Sequence, residues 1–213
     1  MYVEVKTRSE DRVLRCRMED VRVGETAEIL TDLDKHNSIS AAIEHASSQL
    51  SASASSNDFR LLWYRADNGL FVHDTKEQIG STLYGMRMVL AESQRFGRRP
   101  WHCAYAGHAD FYRFPDIDGV MVEVDGLITL FLNPFSPRRE AFASSRIAKL
   151  IQESVFDVDQ AVAQSKLLAA DGDAPRGDDD GMLAHLRSKY PSWTFICFLR
   201  HCAGTIVTTI DGS

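Results

Sequence analysis

In Met1-Tyr2-Val3-Glu4-Val5-Lys6-Thr7 apolar and polar positions alternate, the period of a strand with one face on a core. Val13-Leu14-Arg15-Cys16-Arg17-Met18 reads as a second strand, with the polar turn Arg8 to Arg12 between them. Such a hairpin needs a helix against one face, and 38–50 supplies it. Ile39, Ala42, Ile43, Ala46 and Leu50 recur at helical spacing behind Ser38 as N-cap. After the small, polar stretch 51–57, strand patterning resumes at Phe59-Arg60-Leu61-Leu62-Trp63-Tyr64. It turns at Asp67-Asn68-Gly69 and returns through Leu70-Phe71-Val72.

Residues 76–92 fit two periods. Ile79, Leu83, Met86 and Leu90 make a helix face, whereas Tyr84, Met86, Met88 and Leu90 alternate as a strand. Gly97-Arg98-Arg99-Pro100 breaks the pattern and is read as a boundary, giving domains of 1–95 and 100–213. Beyond it, 101–105, 111–114, 120–124 and 127–132 read as strands, with turns at Asp116 to Gly119 and Asp125-Gly126. Ser136-Pro137 opens a helix with Ala143, Ile147, Leu150 and Ile151 as its buried stripe, and a second helix follows from Asp157 to Ala169. Residues 170–181, with Asp at 171, 173, 178, 179 and 180, read as a mobile acidic loop. A short helix, Met182 to Lys189, precedes Pro191. A closing hairpin spans 193–210, turned at Cys202-Ala203-Gly204. The fold class expected is α+β, two compact domains, the second a two-layer arrangement of sheet and helices.

The chain has 213 residues, 44% hydrophobic and 25% charged, which is ordinary for a folded protein. Its 24 basic and 30 acidic residues give a net charge of −6, which argues against a nucleic-acid surface. The nearest basic cluster, Arg95, Arg98 and Arg99, reads as a solvated turn. Residues 2–20 are charged throughout, with no apolar signal region, and Leu127 to Leu132 is too short to span a bilayer, so membrane insertion is not expected. Four cysteines (Cys16, Cys103, Cys197, Cys202) form no disulfide framework, and the expected setting is a reducing cytoplasm.

Catalytic signatures fail one by one. His102-Cys103 and His201-Cys202 resemble the start of a cysteine-phosphatase loop, but the Arg needed six residues after each Cys is Ala109 or Thr208. There is no phosphate-binding glycine loop, no G-x-S-x-G and no H-E-x-x-H. His102, Cys103, His108, Cys197, His201 and Cys202 carry zinc-type donors without C-x-x-C spacing. The bland reading, buried thiols and surface histidines, is preferred. The acidic loop fails an EF-hand alignment from Asp171, where Arg176 falls on the glycine position. Trp63, Tyr64 and Phe71 are core aromatics by default, yet whichever of Leu62 and Trp63 points away from the helix is a candidate contact. No cofactor or metal is expected.

Residues 1–92 resemble the ubiquitin fold. Met1 to Thr7 is similar to its first strand, Arg60-Leu61-Leu62 to its third, and Ser81-Thr82-Leu83 to the start of its last. The resemblance implies a β-grasp with a recognition face centred on Leu62, with Tyr84 and Met86; Trp63 joins these as a candidate contact from the strand alternation. Arg8 stands where the family has an apolar loop residue, Gly85 where it has a buried apolar one, and no diglycine tail follows. In the C-terminal half, Leu127 to Leu132, the Ser136 helix and Ser188-Lys189-Tyr190-Pro191-Ser192-Trp193-Thr194 resemble the dynein light chain fold. That likeness implies peptide capture at a sheet edge, Gly204, Thr205, Ile206, Val207 and Thr208, and a homodimer. A rival parse takes 58–155 as longin-like, with a helix at 76–92. The expected function is a non-enzymatic cytoplasmic scaffold or adaptor, cytoskeletal in one version, that binds protein partners through exposed sheet surface. The alternatives are a longin-type trafficking adaptor and a zinc-containing domain or enzyme.

Overall fold

A computed structural model describes residues 1–8, 26–32, 37–55, 57–66, 72–124, 126–151, 154–199 and 202–208. Of residues 7–8, 26–32, 37–38, 66, 72–77 and 202–208 the backbone alone is described. The chain runs β1 (Tyr2–Arg8), β2 (Thr26–Asp32), α1 (Asn37–Ser53), β3 (Arg60–Ala66), α2 (Val72–Tyr84), β4 (Arg87–Ser93), β5 (Gly97–Ala104), α3 (Asp110–Arg113), β6 (Gly119–Val124) and β7 (Leu127–Leu132). It continues through α4 (Arg139–Ala143), α5 (Arg146–Leu150), β8 (Val155–Phe156), α6 (Val158–Ala163), β9 (Leu168–Ala169), α7 (Asp179–Lys189), β10 (Trp193–Phe198) and β11 (Cys202–Thr208).

The architecture is α+β, built on two mixed sheets and a strand pair. One sheet has the order β1-β3-β6-β7-β8, the second β10-β4-β5-β9, and β11 pairs with β2. β1, β3 and β6 are parallel, with Val5 opposite Trp63 and Trp63 opposite Met121. β7 closes antiparallel on β6. Parallel neighbours need a crossover, and α1 lies in the chain between β1 and β3. The apolar spacing read from 39–50 is the buried face of α1: Ile39, Ile43, Ala46 and Leu50 are all at most 3% exposed. Each such Ile or Leu contributes about 1.5–3 kcal/mol by leaving water.

Residues 76–92 obey both of their periods in turn. The helix runs to Tyr84, and strand β4 begins at Arg87. Gly85 makes the switch at φ +58°, a left-handed position at a helix end. Any Cβ there would also collide with the Gly107 carbonyl, because Gly107 N donates to Gly85 O at 2.8 Å. Gly85→Ala is expected to cost at least about 2 kcal/mol, which urea unfolding would register as a lower midpoint at constant slope. A wild-type midpoint would show that the turn tolerates a side chain.

Several expected elements differ. Ser81-Thr82-Leu83 is the last turn of a helix, so it cannot lie beside β1 as the ubiquitin resemblance requires; β1 pairs with β3. The boundary near 95–100 falls inside the β4–β5 hairpin, and the five-stranded sheet draws strands from both sides of it. Phe111 to Phe114 is not a strand: 110–113 form one helical turn, with Phe111 fully buried edge-on to Tyr84. The helix opened by Ser136 begins at Arg139 and breaks at Ser144-Ser145, where Ser145 caps α5 by accepting from Ala148 N. The break rotates part of the expected stripe out of phase. Ile147 and Ile151 are half-buried and pack on the core as expected, but Ala143 is exposed, Leu150 is 75% exposed, and the fully buried positions are Phe142 and Ala148. The helix expected over 157–169 ends at Ala163. The closing hairpin does not form: β10 pairs with β4, β11 pairs with β2, and Cys202 to Gly204 lie within β11. The expected strand 13–18, the return residues Leu70 and Phe71, and His201 lie outside the described residues; Val72 begins α2.

Candidate functional site

Strand alternation gives the five-stranded sheet two faces, which its register fixes residue by residue. On one face Glu4, Leu62, Val120, Phe131 and Phe156 lie in a row. Leu62, Val120 and Phe131 belong to the large core with Ile39, Ile43, Ile79, Leu83 and Tyr84, so this face is sealed by α1 and α2. On the opposite face the row is Val5, Trp63, Met121, Leu130 and Val155. A smaller core of Leu61, Met121, Leu130, Leu132, Phe142 and Ala148 places α4 and α5 over one end of it. The β1 end is left open. Val5 is 53% exposed and Val3 38%, and Trp63 is half-buried beside them.

The Trp63 indole is held by its edge, donating through Nε1 to Glu123 Oε2 at 3.0 Å. Its ring therefore sits in a fixed orientation between the covered and open halves. On the reverse side Lys6 reaches over the sheet to Gln49 of α1 at 2.8 Å and to Glu4 at 2.9 Å. Among the described residues β1 is paired along one edge only. An apolar row beside a strand paired on one edge only is the chemistry that takes up an extended segment of another chain.

The four residues expected on a recognition face divide. Leu62 and Tyr84 have no exposure at all. Tyr84 is a core anchor whose hydroxyl donates to Leu132 O at 2.7 Å, and burial raises its phenol well above the usual range. Met86 is half-buried and packs on the same core. Trp63 alone lies on the open side. The second expected edge, Gly204 to Thr208, has one side occupied, since those residues pair with Leu30 to Thr26.

The zinc-type donors do not assemble among the described residues. Cys103 is buried in β5 and Cys197 is exposed in β10. Burial pushes the Cys103 thiol from 9.0 up to about 12, so it is held protonated and inert. A thiol whose pKa rises on folding adds stability below pH 9.0 and loses it as pH climbs towards 12. Iodoacetamide at pH 8 is therefore expected to modify Cys197 in the native protein and spare Cys103 until denaturant is added. Equal labelling of both by peptide mapping would contradict this.

The side chains that do converge are Asp171, Asp173 and His185, with donor atoms within 4.8 Å of one another. Asp171 already accepts from Lys189 and faces His185 Nε2 at 3.2 Å, which holds its carboxyl below the usual range. An ammonium in the group opposes a cation, and the cluster works as an ion-pair tie from the acidic loop to α7. The loop, expected to be mobile, is stitched further by Arg176, which donates to Gly172 O at 2.8 Å and Asp171 O at 3.0 Å. Beside it lies a cleft of about 630 Å³ with Tyr105, Tyr112 and Phe135 among its walls. Sequence reasoning missed it, because these residues come from segments that only the tertiary fold brings together; Tyr105 among them holds a left-handed backbone at φ +62°.

No protein-family model, no curated protein and no solved structure matches this chain. Among the described residues no helix is long and apolar enough to cross a membrane.

Proposed function

We propose that this protein is a non-enzymatic protein-binding module, an adaptor or scaffold, whose partner docks on the open half of the five-stranded sheet. The observation that carries the reading is the row Val3, Val5 and Trp63, apolar and accessible, beside a strand paired on one edge among the described residues. Single exposed apolar residues are ordinary, but a contiguous set along an edge strand is what folding normally avoids. Relative to the sequence reading, the docking centre moves from Leu62 to its neighbour Trp63, since only one of two successive strand residues can face the partner.

The test is affinity capture with the intact chain, compared with a Val3→Asp/Val5→Asp variant and with Leu127→Asp, 61% exposed on β7, as an exposed apolar control. The β1 variant is expected to stay folded, costing about 1 kcal/mol or less, and to lose the proteins that both wild type and the control retain. Retention of the same proteins by the β1 variant would overturn the assignment.

A further inference from the structure

The cleft beside the acidic loop is independent of the sheet surface, and its chemistry is specific. It is enclosed by the segment from Tyr105 to Arg113, by Phe135, by α6 and by residues 169–176. Its volume of about 630 Å³ is that of a small-molecule site. Phe135 stands between two tyrosines, its ring centroid 5.4 Å from Tyr105 and 5.3 Å from Tyr112, both edge-on. Folding leaves Tyr112 65% and Phe135 36% exposed, so the aromatic wall remains available to a further ring. The Tyr105 hydroxyl makes no hydrogen bond to any described residue.

The charges around the cleft largely cancel in pairs. Asp159 is closed by Arg139 at 2.6 Å, Asp171 by Lys189 and His185, and Arg113 leans on Asp110 at 3.2 Å. Arg176 differs. All its hydrogen bonds go to backbone carbonyls, those of Asp171, Gly172 and Ala174, and no described carboxylate lies within ion-pair distance. The carbonyls fix the guanidinium in place without neutralising it. One immobilised cation with no counter-charge within ion-pair distance among the described residues, beside a wall of three rings, selects a ligand that is both planar and negative.

We propose that this cleft binds a small aromatic or heteroaromatic anion, its ring against Phe135, Tyr105 and Tyr112 and its acidic group towards Arg176. Three probes that share one ring and differ in charge test it on the full chain: indole-3-acetate, indole-3-ethanol and tryptamine, titrated by calorimetry. Indole-3-acetate is expected to bind about tenfold tighter than indole-3-ethanol, with tryptamine weakest. Arg176→Gln is expected to level the first two, whereas Phe135→Ala, at an accessible ring that folding does not need, weakens all three about equally. The proposal falls if none of the three binds saturably at millimolar concentration, if tryptamine binds best, or if the preference for the anion survives Arg176→Gln. The order of the three probes on the unaltered protein decides the charge argument even if the arginine variant fails to fold.

Discussion

Leu62→Asp is expected to abolish the folded state. Leu62 has no exposure and sits in the row with Val120 and Phe131, under α1 and α2. A carboxylate there would be stripped of water with no cation within the core to receive it. Such burial costs several kcal/mol even after the group protonates, on top of about 2–5 kcal/mol for the lost Leu. Domains are stable by about 5–15 kcal/mol in total, so the sum consumes most or all of it. Circular dichroism and gel filtration should report an unfolded or aggregated chain. Val5→Asp, on the opposite face of the neighbouring strand, should leave both signals unchanged. Had Leu62 been the docking residue, the first variant would fold and only lose its partner, so a native spectrum for Leu62→Asp would overturn the face assignment.

Asp118→Ala is the second large effect. Asp118 is completely buried just before β6, and its two oxygens tie that point to the start of β3 and to the 136–138 segment. Oδ2 accepts from the Arg60 backbone N–H at 2.7 Å, which sets the start of β3. Oδ1 accepts from Ser136 Oγ, and Arg138 Nε lies 3.1 Å from both oxygens. The Asp118 backbone closes the same junction, donating to Arg60 O at 2.8 Å and accepting from Asn133 N at 3.0 Å. Removing the carboxylate takes the acceptor from a buried N–H and from a hydroxyl and the counter-charge from the Arg138 guanidinium. Breaking a buried pair in this way costs about 3–5 kcal/mol. Arg138 keeps 19% access to water and a bond to Asp116 O at 2.8 Å, which favours the lower figure. At roughly 2–4 °C per kcal/mol, the melting temperature should fall by about 6–12 °C. Asp118→Asn should recover only part of this, because an amide offers one acceptor where the site presents donors on both sides. Wild-type stability for Asp118→Ala would show that the junction is held by β3 and β6 alone.

The same contrast runs through the whole chain. The helix over 37–53, the strands at 60–66, 119–124 and 127–132, and the helix ending at Lys189 were legible because each carries a local period with an apolar face. The short pieces were not. Phe111 to Phe114 is apolar enough for a strand, but 110–113 form a helical turn that buries Phe111 against Tyr84. Ser136 was readable as a cap, and its hydroxyl accepts from Arg138 N at 3.1 Å while donating to Asp118, but the regular helix starts only at Arg139.

Local periodicity in the sequence determined which residues are apolar on which side of each long element, and that two successive residues such as Leu62 and Trp63 must look in opposite directions. The tertiary structure alone decided which direction is the core, that β1 lies beside β3 and not beside Ser81, and that Tyr105, Phe135 and Arg176 share one cleft. The division has a physical cause. A period is set by backbone geometry within a few residues, whereas strand partners and clefts are chosen by burial and hydrogen bonding between segments far apart in the chain, and many pairings of the same apolar strands satisfy the one-dimensional pattern equally well.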